Sequence, residues 1–360
     1  MKRLKPSFPS SRFKVLPLND RHQRILRATV KSYIDTAEPV GSKTLTRQYD
    51  FGLSPATIRN AMAALEEWGL LFQPHTSAGR IPSDSGYRVY VDELLAPPTQ
   101  LIQQMRQALS DYLLEERHQG LEGLLQSAAR ILASLSGCVA LVTVPRSALA
   151  RVRHLQLVGV DEGRVLIIVV TDSLQTRSFL LDLPSLLVVS ELELLNNFLN
   201  AELYNRTLGD LSPAWIDELC HRFHQYADFL RTVSTLLKKV LQPMTGQVFI
   251  SGVGEILRQP EFAEPERMQS LVQLLEDERE RLSLLITPSD THEQVVVRIG
   301  AENPLEPMQF CSLVSGTYCY NQVPVGSLGV LGPTRLPYDR AIASVRATAE
   351  HLSATLALAG

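Results

Sequence analysis

Thr57, Arg59 and Asn60 lie within four residues of one another in SPATIRNAM (Ser54–Met62), and a second run, PHTSAGR, ends at Gly79-Arg80. Arg and Asn side chains read base edges in the major groove of DNA, and Thr can bond a base or a phosphate. An Arg carried by a hairpin that turns on Gly suits the narrow, negative minor groove beside such a helix. His75, Thr76 and Ser77 supply side chains of the kind that contact phosphates. The chemistry on offer is recognition.

Two other clusters invite chemistry and fail on context. Cys220, His221 and His224 place three metal-ligand types in one helical stretch, with Cys220 and His224 on one face, but a structural zinc site needs four ligands and no companion pair follows. The run Gly326–Gly332 sits in a strand pattern, leads to Pro333 and has no P-loop Lys, so close approach of strands is expected there, not a nucleotide. Neither G-x-S-x-G nor H-E-x-x-H occurs. An enzyme is therefore not expected, and no catalytic residue, cofactor or metal is assigned.

The recognition residues need a helix and a hairpin to hold them. Ser54 is a good N-cap and Pro55 a good first helical residue, since Pro lacks only an N–H that would be unpaired there. With Ile58, Ala61, Met62 and Leu65 as the buried stripe, Ala56, Asn60, Ala63 and Glu67 point outward and Thr57 and Arg59 flank them. Arg59 has an alternative partner in Glu66 or Glu67, so its role is less defined than that of Asn60. Upstream, a first helix is expected over residues 20–35, capped by Asn19, and a short second one from Ser42 to Tyr49. In EPVGSK, Ser42 is expected as the cap with Lys43 in the first turn, a helix start able to hold a phosphate. Downstream, Leu70–Gln73 reads as a strand, Ser77–Arg80 as its tip and Ile81-Pro82 as the return. Three helices and this hairpin predict a winged helix-turn-helix, closed by a helix over residues 83–95 and a linker at Ala96-Pro97-Pro98.

Charge supports the placement. Residues 1–95 carry 14 Lys and Arg against 9 Asp and Glu, whereas the remainder carries 21 against 29. A local positive field favours a polyanion, and the acidic remainder limits indiscriminate binding. Residues 1–18, basic and rich in Pro and Ser, read as a disordered arm. The longest aliphatic run, Val165–Val170, is too short to span a bilayer, and the N-terminus lacks the apolar block of an export signal. Four cysteines without C-x-x-C pairing suit free thiols. A cytoplasmic location with no membrane partner is expected.

Past the linker, amphipathic helices are expected over residues 101–113 and 121–135, then strands at 138–144, 155–160, 165–171 and 176–183. A mainly helical block covers residues 191–286, strands return at 294–299, 310–314 and 326–331, and a helix runs from Tyr338 to Leu356. The simplest account is an α+β chain with one sheet domain, residues 97–190 and 287–360, interrupted by an inserted helical domain, residues 191–286. Residues 19–96 form the winged helix.

EPVGSKTL (Glu38–Leu45), SPATIRNAM, PHTSAGRIPSDSGYRVYVDELL (Pro74–Leu95), IGAEN (Ile299–Asn303), SLVSGTY (Ser312–Tyr318) and GSLGVLGPTRLPYDR (Gly326–Arg340) together resemble the HrcA family of heat-inducible repressors of bacterial chaperone operons. The resemblance runs from about residue 19 to the C-terminus, and it implies a winged helix, a GAF-like domain and an inserted dimerisation domain. It further implies a homodimer on an inverted-repeat operator, the CIRCE element, modulated by a GroEL-type chaperonin and released on heat stress. The long N-terminal arm departs from family members that begin close to the first helix. The expected DNA-contact residues are Ser42, Lys43, Ser54, Ala56, Thr57, Arg59, Asn60, His75, Thr76, Ser77, Gly79 and Arg80. Whether the GAF-like domain takes a small effector stays open at this point.

Overall fold

The computed structural model describes residues 18–96, 98–113, 120–145, 151–161, 164–171, 176–182, 189–207, 210–241, 248–256, 258–277, 279–286 and 295–359. The expected basic arm lies outside them apart from Leu18, as does Pro97 of the linker. Within them the chain is α+β.

The N-terminal part follows local signals. Asn19 caps α1 (Asp20–Thr36) by accepting from the His22 N–H, and Ala37 ends it in the left-handed region. Next come α2 (Ser42–Gln48) and α3 (Pro55–Glu67). The strands β1 (Leu71–Phe72) and β2 (Ile81–Pro82) pair antiparallel, Leu71 opposite Pro82 and Phe72 opposite Ile81. Then α4 (Asp84–Val89), capped by Ser83, widens into a π-helical turn over Tyr90–Leu94. Ile25, Leu26, Val30, Leu45, Ile58, Met62 and Leu65 fill the core between these helices. Each such side chain contributes about 1.5–3 kcal/mol on full burial.

The rest divides differently from expectation. Two helices, α5 (Thr99–Leu113) and α6 (Gly120–Ser136), lead to β3 (Val139–Thr143). The next three strands, β4 (Val152–Asp161), β5 (Arg164–Thr171) and β6 (Thr176–Asp182), pair only with one another, in the order β4-β5-β6. Their inner face, Val152, Leu155, Leu157, Val165, Ile167 and Val169, packs with α7 (Val189–Leu203), α8 (Pro213–Arg222) and α9 (Ala227–Leu241) in a separate cluster. Asn196 and Asn200 tie α7 to the backbone of Leu157 and Leu155. These strands therefore do not belong to the interrupted sheet.

Conversely, β7 (Val248–Ser251), inside the block expected to be helical, adds to the main sheet beside β3. After α10 (Val253–Ile256), α11 (Pro265–Asp277) and α12 (Arg279–Leu285) come β8 (Val295–Ile299), β9 (Cys311–Tyr320) and β10 (Val323–Pro333). The main sheet has the order β7-β3-β10-β9-β8. Leu271, Leu274, Leu275 and Leu282 cover one face of it, α13 (Tyr338–Ala359) and α6 cover the other, and α5 packs on α13 and α6. The glycine-rich run is β10 in the middle of this sheet, and a Cβ at Gly326 would overlap the Tyr318 ring. The β4–α9 cluster thus begins before residue 190, and β7 joins the main sheet before residue 286. The four residues of β7, Val-Phe-Ile-Ser, are too few and too uniformly apolar to tell a strand from a helix by periodicity.

All four cysteines are free, and only Cys319 is less than fully buried. Burial pushes the Cys138 thiol up to about 12 and raises that of Cys311 as well. Thiolate is the reactive form. Alkylation of the native chain, followed by mass spectrometry, is therefore expected to mark Cys319 first and to spare Cys138 and Cys311 until denaturant is added. Early labelling of Cys138 or Cys311 would contradict this packing.

Candidate nucleic-acid interface

Ser54 Oγ accepts from the Thr57 N–H at 3.2 Å and lies 2.9 Å from Thr57 Oγ1, so α3 starts with a fixed first turn. Ile58, Ala61, Met62 and Leu65 are buried. That stripe forces Ser54, Ala56, Arg59 and Asn60 into solvent, with Thr57 half-buried beside them. The Thr57 hydroxyl is already engaged with Ser54, which leaves it less free than Asn60. Among the described residues no hydrogen bond or ion pair engages the side chain of Arg59, Asn60, Lys43 or Arg47. All four are exposed.

Glu66 does not hold Arg59. Its Oε2 accepts from Arg80 Nε at 2.7 Å, with the Arg80 side chain only 16% exposed. Arg80 also exchanges both backbone hydrogen bonds with Val40, each 2.9 Å. It therefore stands at the root of the hairpin, buttressing α3 against the α1–α2 turn, and is not the free charge at the tip that its sequence position suggests. Gly79 is corrected in the same way. It does not turn the hairpin through positive φ; instead a Cβ there would lie 2.5 Å from the Val40 carbonyl carbon and 2.6 Å from Pro39. Close backbone approach requires the Gly.

The tip lies earlier, at His75–Ala78, where the Ala78 N–H donates to the His75 carbonyl at 2.9 Å. Gln73 fixes it by donating Nε2 to the carbonyls of Thr76 (3.1 Å) and Ala78 (2.8 Å). Gln73 was not singled out in the sequence, and its polar type in an otherwise apolar strand was the available signal. His75, Thr76 and Ser77 are exposed at this tip. Ser42 is corrected too: Gly41, extended at φ −94° and ψ 152°, takes the cap position without a side-chain bond, and Ser42 becomes the buried first helical residue. Lys43 keeps its exposed place in that turn.

The Val40–Arg80 bridge joins the turn before α2 to the hairpin root, and the Arg80–Glu66 pair ties that root to the C-terminal end of α3. The metal cluster weighed above does not assemble in one helix. Cys220 is buried with Sγ 3.6 Å from the Ala227 carbonyl, and α8 ends at Arg222, so His224 opens a separate turn. Among the described residues no group of three His, Cys, Asp or Glu converges on a metal position. No helix there is long and apolar enough to cross a membrane.

Residues 122–342 match the family model described as the HrcA protein C-terminal domain. A heat-inducible transcription repressor HrcA of Gloeobacter violaceus is 70% identical over 338 residues, 94% of this chain and 93% of that protein. Its counterpart in Trichormus variabilis is 49% identical over 358 residues, covering 93% and 98%. A crystal structure described only as a hypothetical protein shares the fold, with a TM-score of 0.62 and 24% identity over 95% of this chain and all of its own. The class so defined is the transcription repressor, not an enzyme. More narrowly, the chain belongs to the HrcA family.

Replacing Gly79 by Ala is expected to push Pro39–Val40 off the hairpin root and to destabilise the N-terminal segment by about 1–3 kcal/mol, the usual scale for overpacking. Hydrogen exchange would read this as faster exchange at Val40 and Arg80, and unchanged protection there would contradict the tight approach.

Proposed function

We propose that this chain is a sequence-specific DNA-binding repressor of class I heat-shock operons, and that residues 19–96 act as its winged helix. The observation that carries the reading is the outward face of α3, where Arg59 and Asn60 are exposed without internal partners, followed in the chain by a hairpin whose stapled tip exposes His75, Thr76 and Ser77. A recognition helix enters the major groove with its N-terminal residues against base edges, and a wing follows the adjacent backbone. Asn60 and Arg59 are assigned to base edges, Ser54, Ala56 and Thr57 to the helix start against the duplex, and Lys43, His75, Thr76 and Ser77 to phosphates. Gly79, Arg80 and Ser42 keep a supporting role in shaping this surface.

The operator is proposed to be the inverted-repeat CIRCE element and the active species a homodimer, since two heads on a two-fold axis read two half-sites together. The β4–α9 unit is the proposed inserted dimerisation domain on the GAF-like body. Across its outer sheet face Leu166 of the central strand lies between Val158 and Leu180, and Val158 and Leu180 are exposed. Release on heat stress and modulation by a GroEL-type chaperonin follow the family resemblance, as does a cytoplasmic location.

In an electrophoretic shift assay the native chain is expected to prefer the inverted repeat over a scrambled duplex. Asn60→Ala and Arg59→Ala are each expected to weaken binding by about 1–3 kcal/mol, the scale of one good base contact, whereas Arg258→Ala, which removes an exposed pair with Glu255, is expected to leave it unchanged. Equal binding to both duplexes would overturn the reading. For the dimer, Leu180→Asp is expected to give monomer in sedimentation equilibrium, and an unchanged mass would assign the interface elsewhere.

A further inference from the structure

The C-terminal motifs IGAEN and GPTRLPYDR are far from α3 in sequence, yet they form the seat of the head. Arg88 of α4 donates Nε to Glu302 Oε1 at 2.9 Å and Nη2 to the Val297 carbonyl at 2.8 Å, with Nη2 also against Glu302 Oε2. Asp92 closes the set at 3.2 Å from Nη1. One turn earlier, Asp84 Oδ2 accepts from the Ala301 N–H at 3.0 Å. Gly300, at φ +51°, has no room for a Cβ because the Asp84 carboxylate occupies that place. Asn303 then donates Nδ2 to the carbonyls of Gly300, Met308 and Cys311, holding the loop in shape. On the other side Arg335 donates Nη1 to the Ile34 carbonyl near the end of α1 at 3.2 Å and pairs through Nε with Glu261. Between these two clamps the Tyr87 and Tyr338 rings meet at 5.9 Å.

Two clamps and a ring contact fix a rigid body in orientation, since a single pivot would leave rotation free. The guanidinium–carboxylate pairs are directional and the Asp84–Gly300 fit is a steric key. We propose that Asp84, Arg88 and Arg335 are positioning residues that set the angle of the DNA-reading head on the sheet body, and thereby the half-site spacing the dimer accepts. The inference rests on the operator reading above. A dimer with fixed heads accepts one separation and helical phase of half-sites, while loosely tethered heads accept many.

The test uses the full-length chain and fluorescence anisotropy against a single half-site and a series of inverted repeats whose spacers differ by up to half a helical turn. The unaltered chain is expected to favour one spacing by tenfold or more. Arg88→Gln and Gly300→Ala are expected to flatten that preference to less than threefold while half-site affinity stays within twofold. Asp84→Asn keeps an acceptor for the Ala301 N–H and is expected to retain the preference. Thermal melting reads folding, and Arg88→Gln carries the test if Gly300→Ala does not fold. Joint variants that keep the wild-type preference overturn this inference alone, as does a loss that lowers half-site and paired-site binding in equal proportion. An unaltered chain that binds no inverted repeat overturns the operator reading and this inference with it.

Discussion

The Arg88 guanidinium, held between Glu302 and the Val297 carbonyl, is the contact on which the arrangement of head and body depends. Taking a guanidinium largely out of water is costly unless its fork is filled, and here carboxylates and a carbonyl fill it. The pair joins residues 214 positions apart, so it cannot form in a locally folded fragment. It constrains α4 against the end of β8, and α4 in turn closes the core behind α1 and α3. The orientation of the outward face of α3 is therefore tied to the far end of the chain through a short run of packed elements.

The same logic operates on a smaller scale inside the head. The sequence position of Arg80 suggests a side chain reaching into solvent, but Glu66 and the Val40 backbone hold it at the hairpin root. Its charge is used to brace α3, while Arg59 and Asn60 stay exposed on the outward face of that helix. For a partly buried pair of this kind the cost of taking both charges out of water offsets much of their attraction. The value of the pair here is geometric, because it fixes where the hairpin leaves the helix.

What could be read in the sequence was local. The Ser54-Pro55 start, the Asn19 cap and the stripe Ile58, Ala61, Met62 and Leu65 are set by neighbours within a turn or two, and they stand as expected. The hairpin was visible from its turn residues, but the position of its tip was not, because the Gln73 staple and the Pro39–Val40 contact with Gly79 depend on how separate segments meet. The strand patterns of β4, β5 and β6 were legible, whereas the sheet they join was not: alternating apolar residues state that a face is buried and not which partner buries it. The IGAEN motif stood out as a block without a role, since Gly300 and Glu302 take theirs from Asp84 and Arg88 across the whole chain.

Hydrogen exchange of the full-length chain with and without an operator duplex tests the central claim most directly, because it maps the DNA-facing surface without altering a residue. The expected result is slowed exchange at the start of α2, the first half of α3 and residues 73–78, with little change on the β4–β6 sheet or along α11 and α12. Protection concentrated on the body, with residues 54–60 and 73–78 unaffected, would contradict the account.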